Sequence, residues 1–174
     1  MLHPHPEQRE PQSGRRSHAP PVYLVTTRSY AGRTIFSCLL SGSIVAAEMR
    51  RQDRLGATST LAFAVMPDHL HWLFELRAAS LESVVAQVKG RSALGINRRR
   101  ACAARIWQAG FHLRPIRPHE NLRHLGDYVV SNPVRARLVE RPQAYPLAYA
   151  AWWDRTPGRP TRAGHAGGRR SPVR

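Results

Sequence analysis

The stretch Met66-Pro67-Asp68-His69-Leu70-His71-Trp72-Leu73-Phe74-Glu75-Leu76 constrains this chain more than any other. Leu70, Trp72, Phe74 and Leu76 are all apolar and occupy every second position, the mark of a strand with one face in a core. Successive strand side chains point to opposite faces, so His69 and His71 project together from the other side. By the usual rise they stand about 7 Å apart along the strand, near enough to converge on one metal ion. A third ligand and a nucleophile would complete a catalytic centre.

At 174 residues the chain reads as one domain with a real core. Its net charge of +16 and pI near 11.6 point to an acidic polymer as partner, nucleic acid first. Lys89 is the one lysine among 27 basic residues, so a composition skewed to Arg also feeds the charge. Cys38 and Cys102 lack metal-type spacing and read as small core residues of a reducing compartment. No apolar run approaches the ~20 residues of a membrane span, and the first residues carry no signal-peptide pattern. A cytoplasmic protein, in a bacterial nucleoid, is the expectation.

Residues 1–20 and 155–174 are expected to be disordered tails around a domain at 21–154, the second tail a basic arm. His3 and His5 repeat the His-x-His spacing beside prolines, where function is not expected. Val22 to Arg28 reads as the first strand. Phe36 to Arg54 reads as a helix with Leu39, Leu40, Ile44, Val45, Ala47 and Met49 at apolar positions, stopped by Gly56. Leu61 to Val65 is a second strand, and Pro67 demands a bend before the histidines. Ser80 is the N-cap of a helix with Val84, Val85, Val88 and Leu94. Ile116 to Pro118 reads as an extended link. Pro118 then opens a helix whose face is Leu122, Leu125, Tyr128 and Val129, ended or kinked at Asn132 by Pro133. Val134 to Val139 reads as a shorter helix, and the segment from Tyr145 to Trp153 packs back onto the body.

Between Ser83 and His119 there is no acidic residue, while Lys89 and seven arginines occur. Trp107 and Phe111 lie among them, and rings set among cations suit single-stranded nucleic acid. The same rings would also serve as core anchors with the arginines solvated around them.

Tyr128 and Asn132 are four apart, one turn on one helical face. A phenol with its ordinary pKa of about 10 is a poor nucleophile at neutral pH. It becomes effective when a divalent cation sits beside the phosphate it attacks. Two imidazole nitrogens and one amide oxygen suit Mn²⁺ and accept Mg²⁺. In this scheme His69, His71 and Asn132 hold the ion and Tyr128 attacks. The residues alone do not bring strand and helix together, and a packed histidine pair and a core tyrosine would give the same pattern.

Met66-Pro67-Asp68-His69-Leu70-His71 resembles the His-hydrophobic-His motif of HUH single-strand endonucleases. The continuation resembles their single-tyrosine branch of IS200/IS605 type, and most closely the REP-associated tyrosine transposases. The segments are Gln87-Val88-Lys89-Gly90, Ile96-Asn97-Arg98, Ile106-Trp107-Gln108-Ala109-Gly110-Phe111-His112, Ile116-Arg117, Asp127 through Ala136, Leu138-Val139 and Tyr145-Pro146. Their order and spacing follow the family over roughly residues 22–152. The resemblance implies an α+β fold, a ferredoxin-like sandwich whose central antiparallel sheet carries packed helices. It implies metal-dependent cleavage of single-stranded DNA at hairpin or palindromic repeats, through a 5′-phosphotyrosine link that the freed 3′-hydroxyl can reverse. Carried over residue by residue, Tyr128 is the nucleophile, and His69, His71 and Asn132 hold Mg²⁺ or Mn²⁺. Lys89, Arg91, Arg98, Arg99, Arg100, Trp107, Arg114 and Arg117 are expected to hold the DNA. A monomer or homodimer is expected, with no membrane association. The chain departs from the family at Ala136-Arg137-Leu138-Val139, where a glycine is usual at 137. Two other readings stay open: a non-catalytic single-stranded nucleic-acid binder derived from this family, and a replication-initiator-type HUH nickase.

Overall fold

The structure, a computed structural model, describes residues 19–153. The tails expected at 1–20 and 155–174 therefore lie outside the described residues, save Ala19 and Pro20, and so does the His3/His5 pair. The described elements run β1 (Val22–Arg28), α1 (Leu39–Arg54), β2 (Thr58–Val65), β3 (His69–Leu76), α2 (Leu81–Arg100), β4 (His112–Ile116), α3 (Leu122–Val130), α4 (Asn132–Arg135) and β5 (Ala148–Ala150). The sheet order is β4-β1-β3-β2-β5, and every pairing is antiparallel. The first four strands and two helices make the β1-α1-β2-β3-α2-β4 ferredoxin-like arrangement expected from the resemblance. β5 extends it at the β2 edge.

The histidine strand is central, and its alternation sets the two layers. Leu70, Trp72 and Phe74 are buried against α1 and α2, together with Val25, Val45, Met49, Val84 and Val88. Each such side chain contributes about 1.5–3 kcal/mol on burial. Leu73 faces the other way, into a smaller core with Ala62, Ala64, Val129, Val130 and Ala150. The α3 helix packs on β2, β3 and β5 in that second layer, so it shares a side of the sheet with His69 and His71.

Local chemistry explains the element ends. Ser80 caps α2 by accepting a hydrogen bond from the Ser83 amide. Gly56 takes φ +70 after α1, as a helix-terminating glycine does. The bend at Pro67 is closed by a bond from the Met66 amide to the His69 carbonyl. Arg137 sits at φ 57, and the bonds Leu138 N to Pro133 O and Arg137 N to Val134 O close a Schellman turn there. An arginine thus occupies the left-handed position where the resemblance led one to expect glycine, and the helix end still closes.

Several expectations need correction. The helix after Pro118 starts later, because Asn121 is the N-cap and accepts from the His124 amide. The extended link is the end of a longer strand, β4, which was hard to read because it is an edge strand whose sequence does not alternate cleanly. Pro115 is tolerated in it for the same reason. The helical segment after Pro133 stops at Arg135. Leu39, Leu40 and Leu94 are exposed, not core. The buried stripes are Val45, Ala46 and Met49 on α1 and Val84, Val85, Val88, Ser92 and Ile96 on α2. Cys38 and Cys102 are exposed as well. Each flanks a helix end: Cys38 precedes α1, and Cys102 follows the left-handed Ala101 that closes α2. Among the described residues no helix is long and apolar enough to cross a membrane.

Candidate active site

Because β3 alternates, His69 and His71 leave the sheet on the α3 side. Their Nε2 atoms approach to 3.1 Å. Each Nδ1 is tied down from behind: that of His69 to the Asp68 carboxylate at 2.6 Å, and that of His71 to the Thr26 hydroxyl at 2.9 Å. A carboxylate only accepts, so it fixes the His69 proton on Nδ1, and the Thr26 oxygen can take the proton of His71 in the same way. Both Nε2 lone pairs then face one point.

That donor set fits a metal ion. Two nitrogens bound at about 2.1 Å and at right angles stand about 3.0 Å apart, close to the observed separation. Anchored Nδ1 atoms are the usual outer support of metal-bound histidines. The His71 pKa is lowered to about 4, chiefly by burial and then by His69, Arg28 and Arg135, so the ring is neutral and able to coordinate at pH 7. No group of three or more His, Cys, Asp or Glu among the described residues is arranged for a metal. Any further protein donor to a cation there would be of another kind, such as an amide oxygen.

Asn132 opens α4 directly after the Ser131 cap of α3. Its Nδ2 donates to the carbonyls of Tyr128 and Val129. Holding the amide by its nitrogen leaves Oδ1 as the end free to accept. Tyr128 is 50% exposed and does not share the burial of Val129 and Val130 beside it. Its ring carries the Arg135 guanidinium 4.7 Å from the centroid. The same Arg135 acts electrostatically on His71. Arg135 thus stacks on the phenol and adds positive charge at His71. α3 itself is pinned from outside by Trp152, whose ring lies where a Cβ on Gly126 would stand and whose Nε1 donates to Asp127.

The residues expected to bind DNA divide into groups. Trp107 is a correction: it is 6% exposed, packs on Phe36 and donates Nε1–H to Ser92, so its ring is a core anchor. Lys89 donates to the carbonyls of Gln108 and Gly110, and Arg91 pairs with Glu48 on α1. Both are structural ties before they are phosphate contacts. Arg98, Arg99 and Arg100 are exposed at the end of α2, but α2 covers the sheet face opposite the histidines. Arg114 pairs with Leu24 across β1 and β4 and so faces the histidine side, held by an ion pair to Glu120. Arg117 is exposed just beyond β4.

Other residues near the site gave no signal of their own. Asp68, Thr26 and Arg135 are common residue types that gain meaning only from register. Tyr30 is 37% exposed and has Arg105 4.8 Å and Arg33 5.9 Å from its ring. It follows Ser29, whose amide donates to the Asp68 carbonyl, so this cation-flanked ring stands at the histidine end of the sheet.

A family model described as IS200-like transposase matches residues 49–132, from within α1 through both histidines and Tyr128 to Asn132. Over that span, which holds the candidate site, the chain is similar to the IS200-like transposase family. The match supports a DNA-processing transposase role. The fold is similar to the solved structure of a REP-associated tyrosine transposase bound to a REP hairpin. The TM-score is 0.62 at 18% identity, over 94% of this chain and 100% of that one. A putative transposase from Deinococcus radiodurans is also similar, with TM-score 0.49 at 15% identity over 70% of this chain and 97% of that one. No curated protein matches the chain.

Proposed function

We propose that this chain cuts and rejoins single-stranded DNA at hairpin-bearing repeats, with Tyr128 as nucleophile. The observation that carries the reading is the shared face: the converging Nε2 atoms of His69 and His71 and the helix bearing Tyr128 lie on one side of the sheet, with Arg135 on the Tyr128 ring and its charge felt at His71. His69, His71 and Asn132 would hold a divalent cation, Mg²⁺ or Mn²⁺. When bound, it would polarise the phosphoryl oxygens and stabilise charge that builds in the transition state.

The chain's own groups do the rest. Asp68 and Thr26 keep both imidazoles turned toward the same point. Arg135 holds the phenol from one face and supplies positive charge where the phosphate would approach. Tyr128 Oη forms a bond to phosphorus while the bond from phosphorus to the 3′ oxygen breaks. The phenolic proton leaves to solvent and the departing oxygen gains one. The 5′ side remains on the enzyme as a phosphotyrosine, and the free 3′-hydroxyl can reverse the step without a nucleotide cofactor. Rate comes mainly from positioning and electrostatics, as in phosphoryl transfer generally.

The hairpin preference rests on the resemblance and on the partner of the similar solved structure. Arg114 and Arg117 on the β4 side, with Arg28 beside His69, would contact phosphates, and Tyr30 between its two arginines would stack a base. Arg98 to Arg100 would reach only DNA that wraps the far face.

The experiment is incubation of end-labelled hairpin oligonucleotides with the full chain in Mn²⁺. A denaturation-resistant protein–DNA adduct is expected with the natural chain, and none with Tyr128→Phe or with chelator present. Equal oligonucleotide affinity with and without chelator, and no cleavage, would instead identify a non-catalytic binder.

A further inference from the structure

A recess opens where α1 begins and α2 ends, on the helix-covered side of the sheet and away from the histidines. It has a volume of about 400 Å³ and is lined by residues 33–35, Cys38, Ser41, Arg100 and Ala104, within the ~300–1,000 Å³ of ordinary ligand sites. The proposed cleavage uses neither Cys38 nor Ser41.

The charge of the recess is one-sided. Arg33 and Arg100 are exposed, and neither has a carboxylate partner among the described residues. The positive end of α1, a 16-residue helix with no acidic residue in its first turn, opens onto it. Cys38 is the N-cap residue of that helix and is exposed. Ser41, through its amide and then its hydroxyl, holds the Cys38 thiol below its ordinary range, and the Leu40 amide and Arg100 act in the same direction. A sulfur set among cations and helix N-terminal amides is the environment of a reactive cysteine.

Ser41 supplies a second observation. It lines the recess at 5% exposure, and its hydroxyl has no oxygen or nitrogen partner among the described residues; it meets only the Cys38 sulfur. A buried hydroxyl with so little to bond costs free energy until an acceptor meets it. A carboxylate seated between the two guanidinium groups would be such an acceptor. Cys102 makes an internal contrast, since it is also exposed but donates to Asn97 Oδ1 at 3.6 Å.

We propose that Cys38 is a covalent modification site, and that the recess takes one half of a small carboxylate-bearing disulfide. The Cys38 proton goes to solvent, and the sulfur attacks one sulfur of the reagent. The S–S bond of the reagent breaks as the new S–S bond to Cys38 forms. Cys38 is thereby oxidised, and the other half of the reagent leaves reduced, as a thiolate. The Arg33 and Arg100 side chains select the acidic reagent, and the end of α1 favours its approach.

The test follows both thiols of the full chain by intact mass, with Cys102→Ser to isolate Cys38 and Cys38→Ser to isolate Cys102. The reagents are oxidised glutathione, which is anionic, and bis(2-hydroxyethyl) disulfide, which is neutral. Cys38 should take up glutathione on the order of tenfold faster than Cys102. Its preference for the anionic reagent over the neutral one should exceed that of Cys102 on the order of tenfold. The attraction of the whole +16 chain cancels in that comparison. Replacing Arg33 and Arg100 together by glutamine, both at exposed positions, should remove most of the excess. Equal rates at the two cysteines, equal preference at both, or a preference that survives loss of both arginines overturns the proposal. The readout is mass and needs no DNA, so failure here leaves the cleavage reading standing, and failure of that reading leaves this one.

Discussion

Arg135 stands between the two halves of the proposed chemistry, its guanidinium on the Tyr128 ring and its charge felt at His71. If it positions the phenol, Arg135→Ala should slow single-turnover adduct formation on the order of tenfold or more, with little change in DNA affinity. Arg135→Lys should stay slow, because an ammonium cannot lie flat on a ring. An unchanged rate in the alanine variant would remove Arg135 from the mechanism. His71 offers a separate check without DNA. Its folded pKa of about 4 lies below the ordinary value of 6.5, so the unfolded chain binds the proton first as pH falls. The stabilising effect is then full above pH 6.5 and is lost progressively toward pH 4. Melting of the metal-free protein should show that loss, and His71→Gln should flatten it across that window.

At the scale of elements, α3 is held in place by an indole filling the space that a side chain at 126 would need. A Cβ on Gly126 would come within 2.0 Å of Trp152, so Gly126→Ala should destabilise by about 1–3 kcal/mol. In a Trp152→Ala background the sign should reverse, since alanine is the better helix former by about 0.8–1.0 kcal/mol. Thermal melts of the four proteins would read this out, and equal costs in both backgrounds would contradict the packing. The legibility of the elements follows the same physics. β3 was readable because period-two burial leaves a period-two sequence. β4 was not, because an edge strand has few buried positions, and the place of Tyr128 on a helix said nothing about which sheet face that helix covers. The exposed Leu39, Leu40 and Leu94 misled for a related reason: apolar residues at near-helical spacing need not be the ones that the neighbouring helix covers.

For the whole molecule, +16 of net charge draws in any polyanion, and only particular positions turn attraction into registration. Tyr30→Ala should weaken single-stranded DNA binding by about 5- to 100-fold through lost stacking, with an unchanged salt slope. Arg28→Ala should instead lower the slope of log affinity against log salt by about 0.7, the value for one phosphate on a single strand. If both variants changed only the slope, Tyr30 would be another charged patch and not a platform for bases. The sequence led to Trp107 for that stacking role because a ring among arginines reads alike whether it faces solvent or core. Here burial sends Trp107 inward and leaves Tyr30 as an exposed ring among cations.

The central claim is that the phenol at 128 and the imidazoles at 69 and 71 act on one phosphate. Its most direct test is to digest the covalent protein–DNA product formed in Mn²⁺ and sequence the peptide that carries the nucleotide. A phosphodiester link on the peptide containing Tyr128, lost when His69 and His71 are both replaced by alanine, is the expected result. A link on any other residue, or one on Tyr128 that survives loss of both histidines, would contradict it.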